Sequence, residues 1–575
     1  TGIRCGDSLD LCCAEGHLCL GALCAQPGSA CLDSYDCMQP GEFCEPTIGR
    51  CLPQPDPLGC ELQPIFGALT VQVESFFDRK DAEDLNEEII SIPVVADLDG
   101  DGTPEVVVNM ARQDGTNWPT GTVVILDGSD VSTIEKGPFL HNPDSGSYGA
   151  NGRTTLALGD VNGDLKPDII YNARPSGGPT GSGLATNVGP IVAIDYEGNL
   201  LWTSHNAAGQ MTGYNLGNAA ISTANLDSDP EAEIVIGGLI LDHDGTELAS
   251  VGAGVNEGTN DGYTGGITAI ADLDGDGQPE LVSGKSAWKI SIAQGPPAVA
   301  TVTNYWTSVG TDGYPAIADF DQDGTPEVVL VSTTTVRILN GQTGLLWCGQ
   351  ASCPAPADLT QPMLLPGGPT ANRGGPPTIS DFDADGRPEI GVAGGQAYTV
   401  FDINRPGESL ETFGTPTPAA VGTGELFYRW TYATKDASSN STGSSVFDFQ
   451  GDGAAEVVYA DECYMRVFSG TDGTVQLELQ STSATIHEYP LVVDVDADGN
   501  SEILIVSQIA GAANNCAGEV PAVVPRQGLY VYGDSNDEWV PTRQVWTQHT
   551  YHVTNTGSDG NVPMTELNNW QQPGL

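Results

Sequence analysis

Short apolar runs recur along this chain in pairs, each pair split by a polar interval. Ser91-Ile92-Pro93-Val94-Val95-Ala96 is followed across nine polar-rich residues by Val106-Val107-Val108. Ile234-Val235-Ile236, Val328-Val329-Leu330 and Ile503-Leu504-Ile505-Val506 are second members of later pairs. Runs this short and this rich in β-branched residues, bounded by Asp, Asn and Gly, predict strand–loop–strand. Further runs extend the unit. Thr122-Val123-Val124-Ile125-Leu126 follows the first pair and Gly528-Leu529-Tyr530-Val531-Tyr532 the last, giving four strands per unit. Residues 61–90 are too few for another unit, so Leu69-Thr70-Val71-Gln72-Val73 is expected to supply a closing strand.

The interval inside each pair is one acidic loop, repeated. The first reads Asp97-Leu98-Asp99-Gly100-Asp101-Gly102-Thr103-Pro104-Glu105. A hard cation such as Ca²⁺ takes six to eight oxygens, which carboxylates at positions 1, 3, 5 and 9 and the carbonyl at 7 can provide. The candidate ligands are Asp97, Asp99, Asp101, Thr103 and Glu105; Asp160, Asn162, Asp164, Lys166 and Asp168; Asn225, Asp227, Asp229, Glu231 and Glu233; and Asp272, Asp274, Asp276, Gln278 and Glu280. The second half of the chain adds Asp319, Asp321, Asp323, Thr325 and Glu327; Asp381, Asp383, Asp385, Arg387 and Glu389; Asp448, Gln450, Asp452, Ala454 and Glu456; and Asp494, Asp496, Asp498, Asn500 and Glu502. Up to eight Ca²⁺ are expected. Two carboxylates about 4 Å apart repel by roughly 4 kcal/mol at an effective dielectric near 20, so such loops splay without a cation. One loop alone reads equally well as a solvated acidic turn; eight in register do not.

Loop starts are 46 to 67 residues apart. Repeats of about 40–50 residues mark propeller blades, and the longer gaps hold one blade plus an insertion. The chain is therefore expected to be all-β, an eight-bladed β-propeller, with seven blades and an irregular unit as the alternative. An EF-hand is excluded, because it needs a 12-residue loop between helices. Three loops depart from the pattern. The second has Leu165 at position 6, the third has Asn225 at 1 and Pro230 at 6, and the seventh has Gln450 at 3. These three are expected to be weaker or altered.

The repeated loop resembles the FG-GAP (VCBS) repeats of integrin α-subunit heads and of many bacterial secreted proteins, over roughly residues 91–535. The resemblance implies loops between the first and second strands of each blade, with Ca²⁺ on one face of the disc and partners on the other.

Composition sets the surroundings. Acidic residues number 76 against 20 basic, a formal charge of −56. Such a surface is a poor match for nucleic acid or anionic membrane. No apolar run is long enough to span a bilayer as a helix, and Thr1 with Cys5 close behind reads as a terminus left by processing. Ten of the 14 cysteines lie in residues 1–60, where few large apolar residues are available for a core. Disulfides substitute for a core in such segments, which places the chain in an oxidising, extracellular compartment; a zinc cluster is the alternative. The spacing resembles knottin-type and EGF-like modules, and it leaves the connectivity open. Cys348 with Cys353, and Cys463 with Cys516, are candidate disulfides in the propeller. The expected organisation is a Cys-rich domain at 1–60, a linker and closing strand at 61–90, the propeller at 91–545 and an aromatic tail at 546–575 packing on it. Asn440-Ser441-Thr442 is a glycosylation sequon.

Long Gly-, Pro- and Asn-rich insertions at 137–153, 173–189, 252–266, 348–374 and 508–527 map to the face opposite the acidic loops. Loops on a rigid scaffold are where binding concentrates. Tyr148, Arg153, Arg174, Tyr263 and Arg373 are the candidate ligand contacts there, weighed against packing between blades for the tyrosines and bonding to local backbone carbonyls for Arg153 and Arg174. His549 and His552 in the tail lack a third histidine or an HExxH motif. No nucleophile elbow or P-loop is present. The expected function is extracellular recognition, adhesion or assembly, with an extracellular glycan or protein, or further copies of the chain in a fibre, as partner. A head-to-tail filament linked through the Cys-rich domain is the first alternative, and a polysaccharide lyase-like enzyme the second.

Overall fold

The computed structural model describes residues 69–572 except 79–87, 115–116, 140–148, 175–187, 218, 228, 261–264, 294, 296, 348–362, 369–372, 406–409, 415–420, 437–441, 510–515 and 537. Before residue 69 it describes 4–5, 11–12, 18–20, 23–25, 28–29, 31, 37, 42–45 and 50–53. Three two-stranded ribbons lie in that leading segment, and Cys37 is bonded to Cys51.

The rest is eight antiparallel sheets in chain order, an all-β, eight-bladed propeller. The second blade is representative. Ala157–Gly159, Asp168–Asn172, Ile191–Ile194 and Leu200–Thr203 pair in sequence order from the axis outward. The inner strands of the eight blades are Val94–Ala96, Ala157–Gly159, Ser222–Ala224, Thr268–Ala271, Tyr314–Ala318, Thr378–Ser380, Ser445–Phe447 and Leu491–Val493. The ring closes through the leading segment. Val71–Phe77 pairs with Gly528–Asp534 as the outermost strand of the eighth blade, so its edge groups are satisfied by a strand more than 400 residues away in sequence.

The core lies between blades. Second strands are buried throughout, as in Glu327–Ser332 and Glu502–Ser507, which fits their continuous apolar runs. Val106, Val108 and Leu126 of the first blade pack against Leu491, Leu504 and Val531 of the eighth. A recurrent tryptophan joins neighbours. Trp306, on the fourth strand of the fourth blade, donates its indole N–H to Gly341 O at 2.6 Å in the next blade, and Trp430 does the same to Gly470 O at 2.6 Å. The turns beside them carry Gly344 and Gly473 at φ of +67° and +72°, where a Cβ would meet the indole at 2.5 Å.

One expectation about the insertions is corrected. Met363–Leu364 forms the fourth strand of the fifth blade, so the 348–374 insertion is divided. Its first part joins the third and fourth strands and leaves Asn340 on the acidic-loop side, because third-to-fourth and first-to-second connections share an end of an antiparallel sheet.

Candidate metal-binding face

Each acidic loop joins the first and second strands of its blade, and one bond recurs in all eight. Position 2 is apolar and buried: Leu98, Val161, Leu226, Leu273, Phe320, Phe382, Phe449 and Val495 are all at most 2% exposed. The carboxylate at position 9 accepts a hydrogen bond from the amide of that residue, at 2.6 Å from Leu98 N to Glu105 and between 2.7 and 3.2 Å in the other seven. The hydrophobic plug thus anchors the loop while the carboxylate closes it.

The aspartate at position 1 organises the turn. Asp97 Oδ1 accepts from Gly100 N at 2.7 Å and Oδ2 from Gly102 N at 2.9 Å. The same bond from position 6 recurs at Leu165, Gly277, Gly324, Gly386 and Gly453. It requires left-handed backbone, with φ of +95° at Gly102 and +67° at Leu165. Leu165 therefore preserves the turn that its side chain seemed to disrupt. Position 4 is left-handed too, at Gly100 and also at Gln322, Ala384 and Ala497.

These bonds hold the carboxylates together. One oxygen each from Asp97, Asp99, Asp101 and Glu105 lies within 4.8 Å of the others, and Asp272, Asp274 and Asp276 converge in the same way, as do Asp319, Asp321 and Glu327. Both carboxylate oxygens of Asp321 are buried without a hydrogen-bond donor. Burial, reinforced by neighbouring carboxylates, pushes Glu105 and Asp168 up to about 8 and Glu233, Glu327 and Glu502 up to about 9. Glu456 is pushed to about 8 and Glu280 to about 7, in both cases mainly by burial. Buried carboxylates massed with few donors fit a divalent cation.

Residues 272–330, from the fourth acidic loop through the second strand of the fifth blade, match the family model of the FG-GAP-like repeat. The chain carries an FG-GAP-like repeat. It is also similar to two Bacillus subtilis proteins: rhamnogalacturonan endolyase YesW, 31% identical over 193 residues, and rhamnogalacturonan exolyase YesX, 28% identical over 183. The matches cover 29% and 28% of this chain, and the chain spans only 30% and 29% of those relatives. Among solved structures, the V. cholerae biofilm matrix protein Bap1 superposes with a TM-score of 0.57 at 14% identity, over 87% of this chain and 97% of that one. At that identity the likeness is one of fold.

Basic side chains enter some of the acidic loops, which the loop sequences did not reveal. Lys289, on the third strand of the fourth blade, places Nζ 2.6 Å from Asp274, 2.9 Å from Asp276 and 3.4 Å from Glu280. In the sixth blade, Arg429 lies 2.6 Å from Asp383 and Arg405 3.8 Å from Glu389. These loops belong to the set with four carboxylates each, yet the chain's own cations neutralise part of that charge. Lys166 of the second loop reaches across to donate to Asp99 O in the first. In the seventh loop Gln450 Nε2 donates to Asp452 and Glu456 at 3.2 and 3.1 Å.

Of the residues expected on the opposite face, Arg153 is corrected. It is 6% exposed, its guanidinium lying over the Trp118 ring at 5.8 Å, so packing between the first two blades withdraws it from solvent. Arg174 is half-buried and donates to Thr120 Oγ1 at the same junction. Arg373 is half-buried where the fifth blade passes to the sixth, so the disc separates it from that pair. Tyr148, Tyr263, Asn440, Cys348 and Cys353 lie outside the described residues. Cys463 and Cys516 are disulfide-bonded, joining the second-to-third connections of the seventh and eighth blades.

The C-terminal segment occupies the axis. Val95 and Trp546 exchange backbone hydrogen bonds at 2.8 Å, Leu158 N donates to Thr547 O at 2.8 Å, and Thr223 N donates to Gln548 Oε1 at 2.9 Å. Asp494 N donates to Arg543 O at 3.0 Å. Residues 543–550 thus strap the inner strands of blades eight, one, two and three. A cavity of about 1870 Å³ lies between the C-terminal segment and the inner strands of blades three to eight. His552 Nε2 lies 2.6 Å from Glu566 Oε1, and His549 is buried against the rings of His487 and Tyr489.

Proposed function

We propose that the chain is a secreted propeller, loaded with Ca²⁺ through its acidic loops, that acts in extracellular recognition, adhesion or assembly. The observation that carries this reading is the convergence of Asp97, Asp99, Asp101 and Glu105 within 4.8 Å, in a loop whose backbone is already organised. A cation there would take those carboxylates and the Thr103 carbonyl, and would rigidify one face of the disc. The first and fifth loops, with four carboxylates each in sequence and ligand oxygens that converge, are the strongest candidates. The disulfide between Cys463 and Cys516 supports an oxidising compartment. Among the described residues no helix is long and apolar enough to cross a membrane.

The ligand is an extracellular glycan or protein, or further copies of the chain joined through the Cys-rich segment. Metal analysis of the secreted protein, followed by glycan-array binding and electron microscopy with and without chelator, tests this. Calcium-dependent glycan binding or filaments are expected. A protein without bound calcium, unchanged in melting and protease resistance under chelator, removes the reading.

The similarity to two rhamnogalacturonan lyases favours a second reading, an enzyme acting on an acidic polysaccharide. Release of unsaturated ends from rhamnogalacturonan by the purified protein would establish it, and their absence across calcium concentrations would exclude it for that substrate.

A further inference from the structure

The third loop differs from its neighbours in chemistry as well as in sequence. Position 6 is Pro230, which has no N–H, and position 1 is Asn225, whose amide cannot accept through two oxygens as aspartate does. The two changes answer one another. Asn225 Nδ2 donates to the Asp229 carbonyl at 2.6 Å, directly before the proline, in place of the bond from position 6 that organises the other turns. Asn225 Oδ1 is buried and accepts no hydrogen bond. Opposite it, the third-to-fourth turn of the same blade supplies His243. Its Nδ1 is buried, 3.8 Å from Asp229 Oδ2 and 3.4 Å from Asp242 Oδ1. Glu233 is fully buried; one carboxylate oxygen accepts from Leu226 N at 2.7 Å, and Oε1 has no donor. One ligand atom each from Asp229, Glu233 and His243 lies within 4.8 Å of the other two.

We propose that this loop is a site for a borderline-soft divalent transition ion, with Zn²⁺ as the probe, held by His243 Nδ1, Asp229 and Glu233. Calcium selects oxygen ligands, whereas imidazole suits zinc and its neighbours. A tetrahedral ion with bonds of about 2.0–2.1 Å places its ligands roughly 3.3–3.4 Å apart. The separation of 3.8 Å between His243 and Asp229 is close to that edge already. The His243 side chain is 31% exposed, which leaves an entry path and room for a water ligand.

The test is titration of the full secreted chain with Zn²⁺ and, separately, with Co²⁺, in the presence of excess Ca²⁺. One transition ion per chain that calcium does not displace is expected, with a Co²⁺ absorption spectrum of nitrogen-containing coordination. His243→Ala and His243→Gln should lose that ion and keep their calcium content and melting behaviour. Three results would each overturn the proposal: no tight Zn²⁺, displacement of Zn²⁺ by Ca²⁺, or Zn²⁺ binding unchanged in both variants. The first leaves His243 as an ion-pair partner only. If a variant fails to fold, the Co²⁺ spectrum of the unaltered chain decides. Zinc here and calcium at the other loops fail separately, since each ion is counted in the same sample.

Discussion

At the scale of single residues, the acidic loops depend on two left-handed positions. At Gly102, φ is +95° and a Cβ would meet nothing within 4 Å, so alanine there is opposed by backbone geometry alone. That strain costs about 1–2 kcal/mol. Gly102→Ala is expected to lower stability by this amount in denaturant unfolding and to weaken metal binding at the first loop; an unchanged midpoint would show that the loop is not held in this conformation. The glycine at position 6 was legible in the sequence as a turn requirement. The equivalent demand at position 4 was not, because Gln322, Ala384 and Ala497 meet it without being turn formers. The charges from Lys289, Arg405, Arg429 and His243 were hidden for another reason: they reach the loops from other strands and turns of their blades, and the loop sequence carries no trace of them.

The buried carboxylates at position 9 give a pH dependence with a definite sign. Without metal, Glu105 is raised from an ordinary 4.5 to about 8, and Glu233, Glu327 and Glu502 to about 9, so the folded chain holds these protons more tightly than the unfolded one. Their contribution to stability is complete below the unfolded value and is lost as pH rises through 8 to 9. A bound cation favours the ionised form and reverses the trend. Chelated protein should therefore melt at progressively lower temperature from about pH 5 to about pH 9, and the stabilisation by added calcium should grow over the same window. Calorimetry in two buffers of different ionisation enthalpy should register proton release on binding. A calcium increment independent of pH would contradict the assignment of these carboxylates.

At the scale of elements, the strand–loop–strand unit was readable because its contacts are local: adjacent apolar runs pair across a short loop, and their pattern repeats. The closing strand was expected because residues 61–90 are too few for a further unit. Its partner, Gly528–Asp534, could be inferred only from the arithmetic of a ring with one strand missing. That pairing makes residues 1–60 and 61–77 unequal. A chain beginning after residue 60 retains Val71–Phe77 and should keep the eighth blade closed. One beginning after residue 77 leaves the Gly528–Asp534 edge bare, and bare edges pair with other chains. Sedimentation of the two truncations should give a dispersed species for the first and heterogeneous aggregates for the second. Equal behaviour would place the closure elsewhere.

At the scale of the molecule, the axial strap ties together blades that are far apart in sequence. Residues 543–550 bond to Val95, Leu158 and Thr223, contacts that span hundreds of residues and leave no local signature; the aromatic density of the tail pointed to packing on the last blade, whereas the segment also reaches blades one to three. The strap also carries a group that opposes folding in acid. His549 is buried beside His487 and Tyr489, and desolvation pushes it down to about 4 from 6.5. The unfolded chain then takes up a proton that the folded chain refuses, so stability falls as pH drops from 6.5 towards 4. Carboxylate protonation releases metal over an overlapping range, and a substitution separates the two. His549→Phe keeps a ring against His487 and Tyr489 while abolishing the titration. It should extend stability to lower pH in acid-unfolding experiments, with and without chelator. The same acid midpoint in both proteins would mean that loss of metal alone sets the limit and that the strap does not feel pH.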